Sequence, residues 1–299
     1  MKIVATTTTI ALAALALGAA PALAQSGPEV EIQHAVARVV VIVENRTDIG
    51  VEIQQGASGL PALRVERRGN DVRIDGGLRR RVAGFSVSDR IEDCRSGPNR
   101  SGRPGDGASV QVDGIGRINL SNAPMVVIRA PRDVKVEAGA AVYGSIGRGA
   151  ASVSLGSGGC GDWDVANTDG PVEIALGGSG QVRIGTSRTL DVALGGSGAL
   201  SAGATTTFEL ALGGSGEASV AAVNGDVDIS IGGSGEVSIR GGRAPNMNIA
   251  IGGSGDIDFG GTAGDVDVAI MGSGDVRIAA VTGEISRSIA GSGDIRVGR

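Results

Sequence analysis

Five carboxylates each stand directly after a Gly-Ser-Gly tripeptide: Glu217, Glu236, Asp256, Asp275 and Asp294. If the repeats stack, so do these acids. A row of carboxylate oxygens is the donor set a hard divalent cation such as Ca²⁺ takes. An acid beside a tight corner can instead accept hydrogen bonds from nearby backbone N–H groups. The nonapeptide calcium roll, GGxGxDxUx, does not fit. Gly252-Gly253-Ser254-Gly255 is followed by Asp256-Ile257-Asp258, so the acids are shifted by one and the period is doubled. A second column of acids runs Glu173, Asp191, Glu209, Asp228, then Asn248 and Asp267. Beside it lies a column of small residues: Ala175, Ala193, Ala211, Ser230, Ala250, Ala269 and Ser288. Small side chains in a row let another surface approach closely, for docking or self-association, unless loops of the chain already cover them.

Other chemistry-bearing residues are sparse. Arg79, Arg80 and Arg81 could meet anionic glycans or lipid head groups, or form a solvated loop. His34 is the only histidine, and no Cys or Asp spacing makes it a base or a ligand, so a structural role is expected. The corner serines lack the strand–turn–helix setting and the His partner of a hydrolase nucleophile. Cys94 and Cys160 are the only cysteines. In an oxidising compartment two such thiols most simply pair, tying the N-terminal part to the first coil of the repeats; free thiols or a metal pair are the alternatives.

The elements that must position these residues follow from the repeat. Gly-Ser-Gly begins at Gly156, Gly178, Gly196, Gly214, Gly233, Gly253, Gly272 and Gly291, a period of about 19 residues. Periods of this length mark solenoids. A short alternating strand follows each tripeptide, as in Gln181–Ile184, and a second leads back to the next, as in Leu190–Leu194. Period-two alternation over four or five residues reads as β. Inward columns then run Leu190, Phe208, Val227, Met247, Val266, Ile285 and Leu194, Leu212, Ile231, Ile251, Ile270, Ile289. The expected fold is all-β: a single-chain parallel β-helix (β-solenoid) with GSG-cornered coils, right-handed as parallel crossovers are. Corner glycine is expected to supply positive φ. Arg287 breaks an inward column and, with Arg296 and Arg299, reads as a cap on the last coil.

Residues 1–24 read as a signal peptide, with Lys2, an apolar run from Ile10 to Ala20 and a small-residue site at Ala22-Leu23-Ala24. Residues 25–150 are β-rich but irregular and are expected to begin and cap the solenoid, with 92–109 an inserted loop. Residues 151–299 are the regular repeats. Glycine at 53 residues with only 2% aromatics but 41% hydrophobic residues suits many short strands joined by tight corners. No segment of the mature chain is apolar for long enough to span a bilayer as a helix. Residues 60–105 carry a net charge of +5 and residues 150–299 a net of −9. So few aromatics beside a local basic patch argue against nucleic acid as a partner.

Gly50-Val51-Glu52-Ile53-Gln54-Gln55-Gly56, Ala130-Pro131 before Val134-Lys135-Val136, and the serial GSG coils followed by Asp-Ile or Asp-Val together resemble the putative auto-transporter adhesin head GIN domain family. The resemblance covers residues 35–299. It implies an exported bacterial protein, a β-helix-like fold and adhesion at a surface, and it brings no catalytic residues. The reading is therefore an exported, non-enzymatic, adhesin-like binding protein of the periplasm or cell surface, without a cofactor unless Ca²⁺ binds. Its partner would be an envelope or surface glycan or protein, or a second copy. A self-associating structural scaffold is the alternative. A polysaccharide-acting enzyme is disfavoured by the scattered aromatics Trp163, Tyr143 and three Phe.

Overall fold

The computed structural model describes residues 27–82, 85–97 and 102–298, with backbone alone for 80–82 and 85–88. The expected signal peptide lies outside the described residues. The first eleven strands are β1 (Glu29–Val43), β2 (Gly50–Gln54), β3 (Arg64–Arg68), β4 (Asp71–Asp75), β5 (Arg79–Val82), β6 (Phe85–Asp89), β7 (Ile91–Arg95), β8 (Ser109–Val112), β9 (Gly116–Asn119), β10 (Met125–Ala130) and β11 (Asp133–Ile146). Later strands are named by their residues.

From Ser152 onward every strand pairs in parallel with the strand one coil away. Ser152–Ser157, Pro171–Leu176, Thr189–Leu194, Thr207–Leu212, Val227–Ile231, Arg243–Ile251, 266–272 and Ile285–Gly291 make one sheet, here sheet A. Trp163–Val165, Gln181–Ile184, Ala199–Thr205, Glu217–Val223, Glu236–Ile239, 256–259, Asp275–Val281 and Asp294–Val297 make sheet B. A third, short side appears in the later coils, where Ala204, Ala222, Ala244 and Ala263 and their neighbours ladder back toward sheet A. The result is a β-solenoid of about nine turns.

The ladder reaches back to β1. Its residues 29–32 pair with 135–138 of β11 in sheet A, and 35–41 pair with 140–146 in sheet B, so both strands turn a corner of the solenoid. At those two corners His34 and Ala140 take left-handed φ values of 49° and 71°, a conformation that costs a non-glycine residue on the order of 1 kcal/mol. Both sheets end at antiparallel strands: β3 on β4 and β2 on β10. The core is one continuous column of buried Val, Ile, Leu, Phe and Ala from Val30 to Ile295, closed at the N-terminal end by Ile49 and Leu63. Each fully buried large side chain contributes about 1.5–3 kcal/mol. The inward columns read from the sequence are registered pairs of this core as far as Val266 and Ile270; on the last coil Ile285 is only partly buried and Ile289 is exposed. Arg287 pairs with Val268 in register and is exposed on the last coil.

The range 92–109 is not a loop at its ends: β7 runs to Arg95 and β8 begins at Ser109, and together β7, β8 and β9 form an antiparallel sheet. That sheet covers a second apolar cluster, in which Val110, Val112, Ile118 and Leu120 pack on Val36, Ala141 and Tyr143. The alternation of β1 and β11 explains it, since these three residues face outward from sheet B while Ala35, Ala37 and Val142 face the main core. Cys94 on β7 is joined to Cys160 by a disulfide. Chain entropy for a loop of this length gives it about 4 kcal/mol.

The corners depart from the sequence expectation in two ways. Gly156 and Ser157 lie inside a strand, paired with Glu137 and Ala138 on one side and Ala175 and Leu176 on the other. The corner of that coil is Gly158-Gly159-Cys160-Gly161, with Cys160 in the place serine holds elsewhere, and its Gly159 carbonyl accepts from Ser179 N at 3.1 Å. Nor is positive φ the general reason for glycine, because among the GSG corners only Gly272 (149°) and Gly291 (148°) adopt it. The common reason is contact. A Cβ built on Gly178, Gly196, Gly214, Gly233, Gly253, Gly272 or Gly291 would overlap the carbonyl oxygen of the equivalent glycine one coil below.

Adjacent glycines can therefore be told apart by experiment. Gly233→Ala should destabilise the fold by on the order of 3 kcal/mol or more, because backbone rather than a flexible side chain must yield. Gly232→Ala, where the nearest atom to the new Cβ is Leu212 O at 4.0 Å, should change stability by less than about 0.5 kcal/mol. Denaturant unfolding of the two variants checks this, and equal costs would refute the stacking argument.

Candidate functional site

Sheet A presents three outward columns, set by strand alternation and by register. One is the acidic column, in which Glu173, Asp191, Glu209, Asp228, Asn248 and Asp267 pair in succession. The next is the small column, Ala175 through Ala193, Ala211, Ser230, Ala250 and Ala269 to Ser288. The small column is exposed except for the partly buried Ala250, and in the acidic column Glu173 and Asp191 are partly buried. The third was not singled out from the sequence: Gly158, Gly177, Gly195, Gly213, Gly232 and Gly252, the residue before the inter-coil glycine in six corners, all exposed, whereas the last two corners place Met271 and Ala290 there. A Cβ at these six glycines would meet no atom closer than 3.7 Å, and none of them has a positive φ. Neither stacking nor backbone conformation demands glycine there. Two neighbouring columns thus carry nothing larger than the Ser230 hydroxyl over six coils, and the sheet is bare and flat.

Along its edge the acidic column is unpaired. Among the described residues, Glu173, Asp191, Glu209, Asp228 and Asp267 make no ion pair, whereas acids elsewhere do: Glu29 with Lys135 at 2.7 Å, Glu31 with Arg73 at 3.4 Å, Asp164 with Arg183 at 2.7 Å. Burial, then the neighbouring Glu173, pushes the Asp191 carboxyl above its ordinary value. Burial, then Asp191 and Asp228, does the same to Glu209. At the C-terminal coils two shallow grooves open beside this column. One, of about 310 Å³, is lined by Asn246, Asn248, Asp265, Asp267 and Glu284; the other, of about 270 Å³, by Asp228, Ala250 and Ala269 among others.

The post-corner acids sit on sheet B. Glu217, Glu236 and Asp256 are consecutive register partners, and so are Asp275 and Asp294. Asp256 Oδ1 accepts from Asp275 N at 2.9 Å, and Asp275 Oδ1 accepts from Asp294 N at 3.1 Å. These carboxylates each satisfy a backbone donor one coil on. Among the described residues no group of three or more His, Cys, Asp or Glu side chains converges as a metal site.

The remaining candidates lie elsewhere. Arg79, Arg80 and Arg81 are not a loop but β5, paired with β6 in a separate ribbon. His34, expected to stand alone, contacts Asp89 through Nδ1 and Arg79 through Nε2. Cys94, Cys160, Asp89, Glu92 and Asp113 line a groove of about 630 Å³ between the small sheet and the corner glycines. Trp163, Tyr143, Phe208 and Phe259 are all fully buried. None of these four rings can serve as a stacking platform for a sugar.

Residues 201–298 match the family model of the putative auto-transporter adhesin, head GIN domain. The matched stretch holds five of the GSG corners, from Gly214 to Gly291, and the C-terminal part of the bare strip. An adhesin-like head GIN domain and a β-solenoid together fit binding at a surface, and the family points away from catalysis and toward an exported protein. No curated protein matches the chain. No helix among the described residues is long and apolar enough to cross a membrane.

Two measurements bear on the acids. Raised folded-state values at Asp191 and Glu209 mean that the folded protein holds their protons more tightly than the unfolded chain. Their penalty is absent in acid, grows as pH rises through the carboxylate range, and is complete near neutrality. Asp191→Asn with Glu209→Gln should therefore raise the unfolding midpoint at about pH 7 and leave it unchanged at about pH 3. Millimolar Ca²⁺ against EDTA should leave the midpoint of the native protein where it is, since Asp256 and Asp275 already accept backbone hydrogen bonds. A rise of several degrees would make the post-corner column a metal site.

Proposed function

We propose that this is an exported, adhesin-like binding protein of the periplasm or cell surface, non-catalytic, which docks its partner along the bare strip of sheet A. The observation that carries the reading is the pair of outward columns with no side chain larger than serine. Glycine in a strand weakens it, and six exposed glycines that neither stacking nor φ requires leave the sheet open to close approach by another surface. The unpaired carboxylates beside the strip give it a charge for a partner to complement. Burial of Trp163, Tyr143, Phe208 and Phe259 favours a flat polymer or protein surface over recognition of single sugars by stacking on these rings.

A second reading, a self-associating scaffold, draws on the same flatness, because two such strips can lie against each other. Ala193→Arg and Ala250→Arg separate the two. Each places a long cation on the strip without touching the core, so unfolding midpoints should stay within about a degree or two of the parent. Binding of the variants to bacterial or host cell surfaces should fall by about tenfold or more. If the parent is instead oligomeric by sedimentation and the variants are monomeric, the strip is a self-association surface. Variants that bind and sediment like the parent would remove sheet A as the binding surface.

A further inference from the structure

The groove of about 630 Å³ between the small sheet and the solenoid is separate from the acidic and small columns of sheet A. Its size falls in the range of ligand sites, about 300–1,000 Å³. One wall is the chain from Asp89 to Cys94, about 17 Å of extended backbone. Consecutive residues line it, so the groove runs along the edge of β7 and not over one of its faces. In the order β7–β8–β9 that edge has no strand partner, and a row of its N–H and C=O groups is open to another chain. The opposite wall is made of corners, Gly158-Gly159-Cys160 and Gly178-Ser179. Glycine there leaves room for a chain at the strand spacing of about 4.8 Å from β7. The Cys94–Cys160 disulfide joins the two walls, and its Cα atoms, 6.2 Å apart, are too close for a strand to pass between. It closes the groove at that end and fixes its walls before anything binds, which lowers the ordering cost of binding.

The charges of the lining say what such a chain must carry. Register between β7 and β8 shifts from Ile91 to Asp93, which leaves Glu92 as an extra residue, and bulges of this kind re-aim a side chain. Glu92 is exposed. Among the described residues neither it nor Asp113 makes an ion pair, whereas Asp93 is held by Arg95 and Arg117 and Asp89 by His34. Arg90, the one cation of the lining, donates to the Asp113 carbonyl. Four carboxylates therefore face one guanidinium. We propose that this groove binds an extended polypeptide segment bearing lysine or arginine, which adds as a strand to the free edge of β7 and sets its cations against Glu92 and Asp113. Main-chain hydrogen bonds to β7 supply affinity in this mode of recognition, and the carboxylates select the sign of the partner's charge. The site does not depend on the reading of sheet A.

The probe is a short fluorescent peptide alternating lysine and threonine, titrated by anisotropy with the mature, oxidised protein, beside a counterpart alternating glutamate and threonine. The lysine peptide should bind and the glutamate peptide should not. Glu92→Gln with Asp113→Asn should weaken binding by about tenfold or more. Ser179→Trp fills the groove from the corner wall without changing its charge, and should weaken binding as much. Glu217→Gln with Glu236→Gln removes the same number of charges from exposed positions of sheet B and should leave binding within about twofold of the parent. Strand addition has its own readout: amide exchange at residues 91–94 should slow by about tenfold when the peptide is saturating. A lysine peptide that does not bind, an equal loss in the Glu217 and Glu236 variant, full binding by Ser179→Trp, or unchanged exchange at 91–94 would each overturn the proposal.

Discussion

At each corner of this solenoid the backbone of one coil presses against the carbonyl of the coil below, closer than any Cβ would permit. That contact sets the rest of the design. It calls for glycine at a fixed place in every coil, and the same carbonyl accepts the next corner's serine N–H, for example Ser254 N to Gly233 O at 3.0 Å. With the corners locked, the strands on either side fall into parallel register without a shift. Like residues then lie over like in every inward column. A core this narrow has little bulk in any one coil, and it is stable because each coil is the packing partner of the next.

Register has a second consequence on the outside. Stacking repeats an outward residue as faithfully as an inward one, so a carboxylate chosen once becomes a row of carboxylates a strand spacing of about 4.8 Å apart. On sheet B that row is partly absorbed by backbone donors, as at Asp256 and Asp275. On sheet A it is not absorbed, and burial with mutual repulsion raises Asp191 and Glu209. The fold tolerates this because the row faces water and the core beneath it is continuous.

Much of the architecture was legible from the chain because the solenoid is local in pattern. Leu190, Phe208 and Val227 could be assigned to one column by counting. The first corner was misplaced because Gly156-Ser157-Gly158 has the right letters three residues too early, and only the pairing of Gly156 with Ala175 reveals it. The reason for glycine was also misread, since contact between coils leaves no local sequence mark that distinguishes it from a φ requirement. Arg79 to Arg81 looked like a loop because three consecutive arginines show no apolar alternation of their own, although their partner strand does, at Phe85-Ser86-Val87-Ser88. The contacts of His34 join residues 45 and 55 positions apart, and no spacing rule connects them.

What the chain covers and what it leaves open follows one rule. Over the first coils, sheet B turns Val36, Ala141 and Tyr143 outward, and β7, β8 and β9 lie over them, fastened at Cys94 and Cys160. Sheet A turns no large apolar residue outward in the coils from Pro171 to Ile251, so no part of the chain gains by covering it. Its bareness is the counterpart of the covered side. Where the fold needed a second layer it supplied outward apolar bulk, and where it kept to glycine, alanine and acid it left a surface on which burial of large side chains cannot drive association. A partner there must be selected by close backbone approach and by charge, which is how a repetitive, aromatic-poor sheet can recognise an equally repetitive surface.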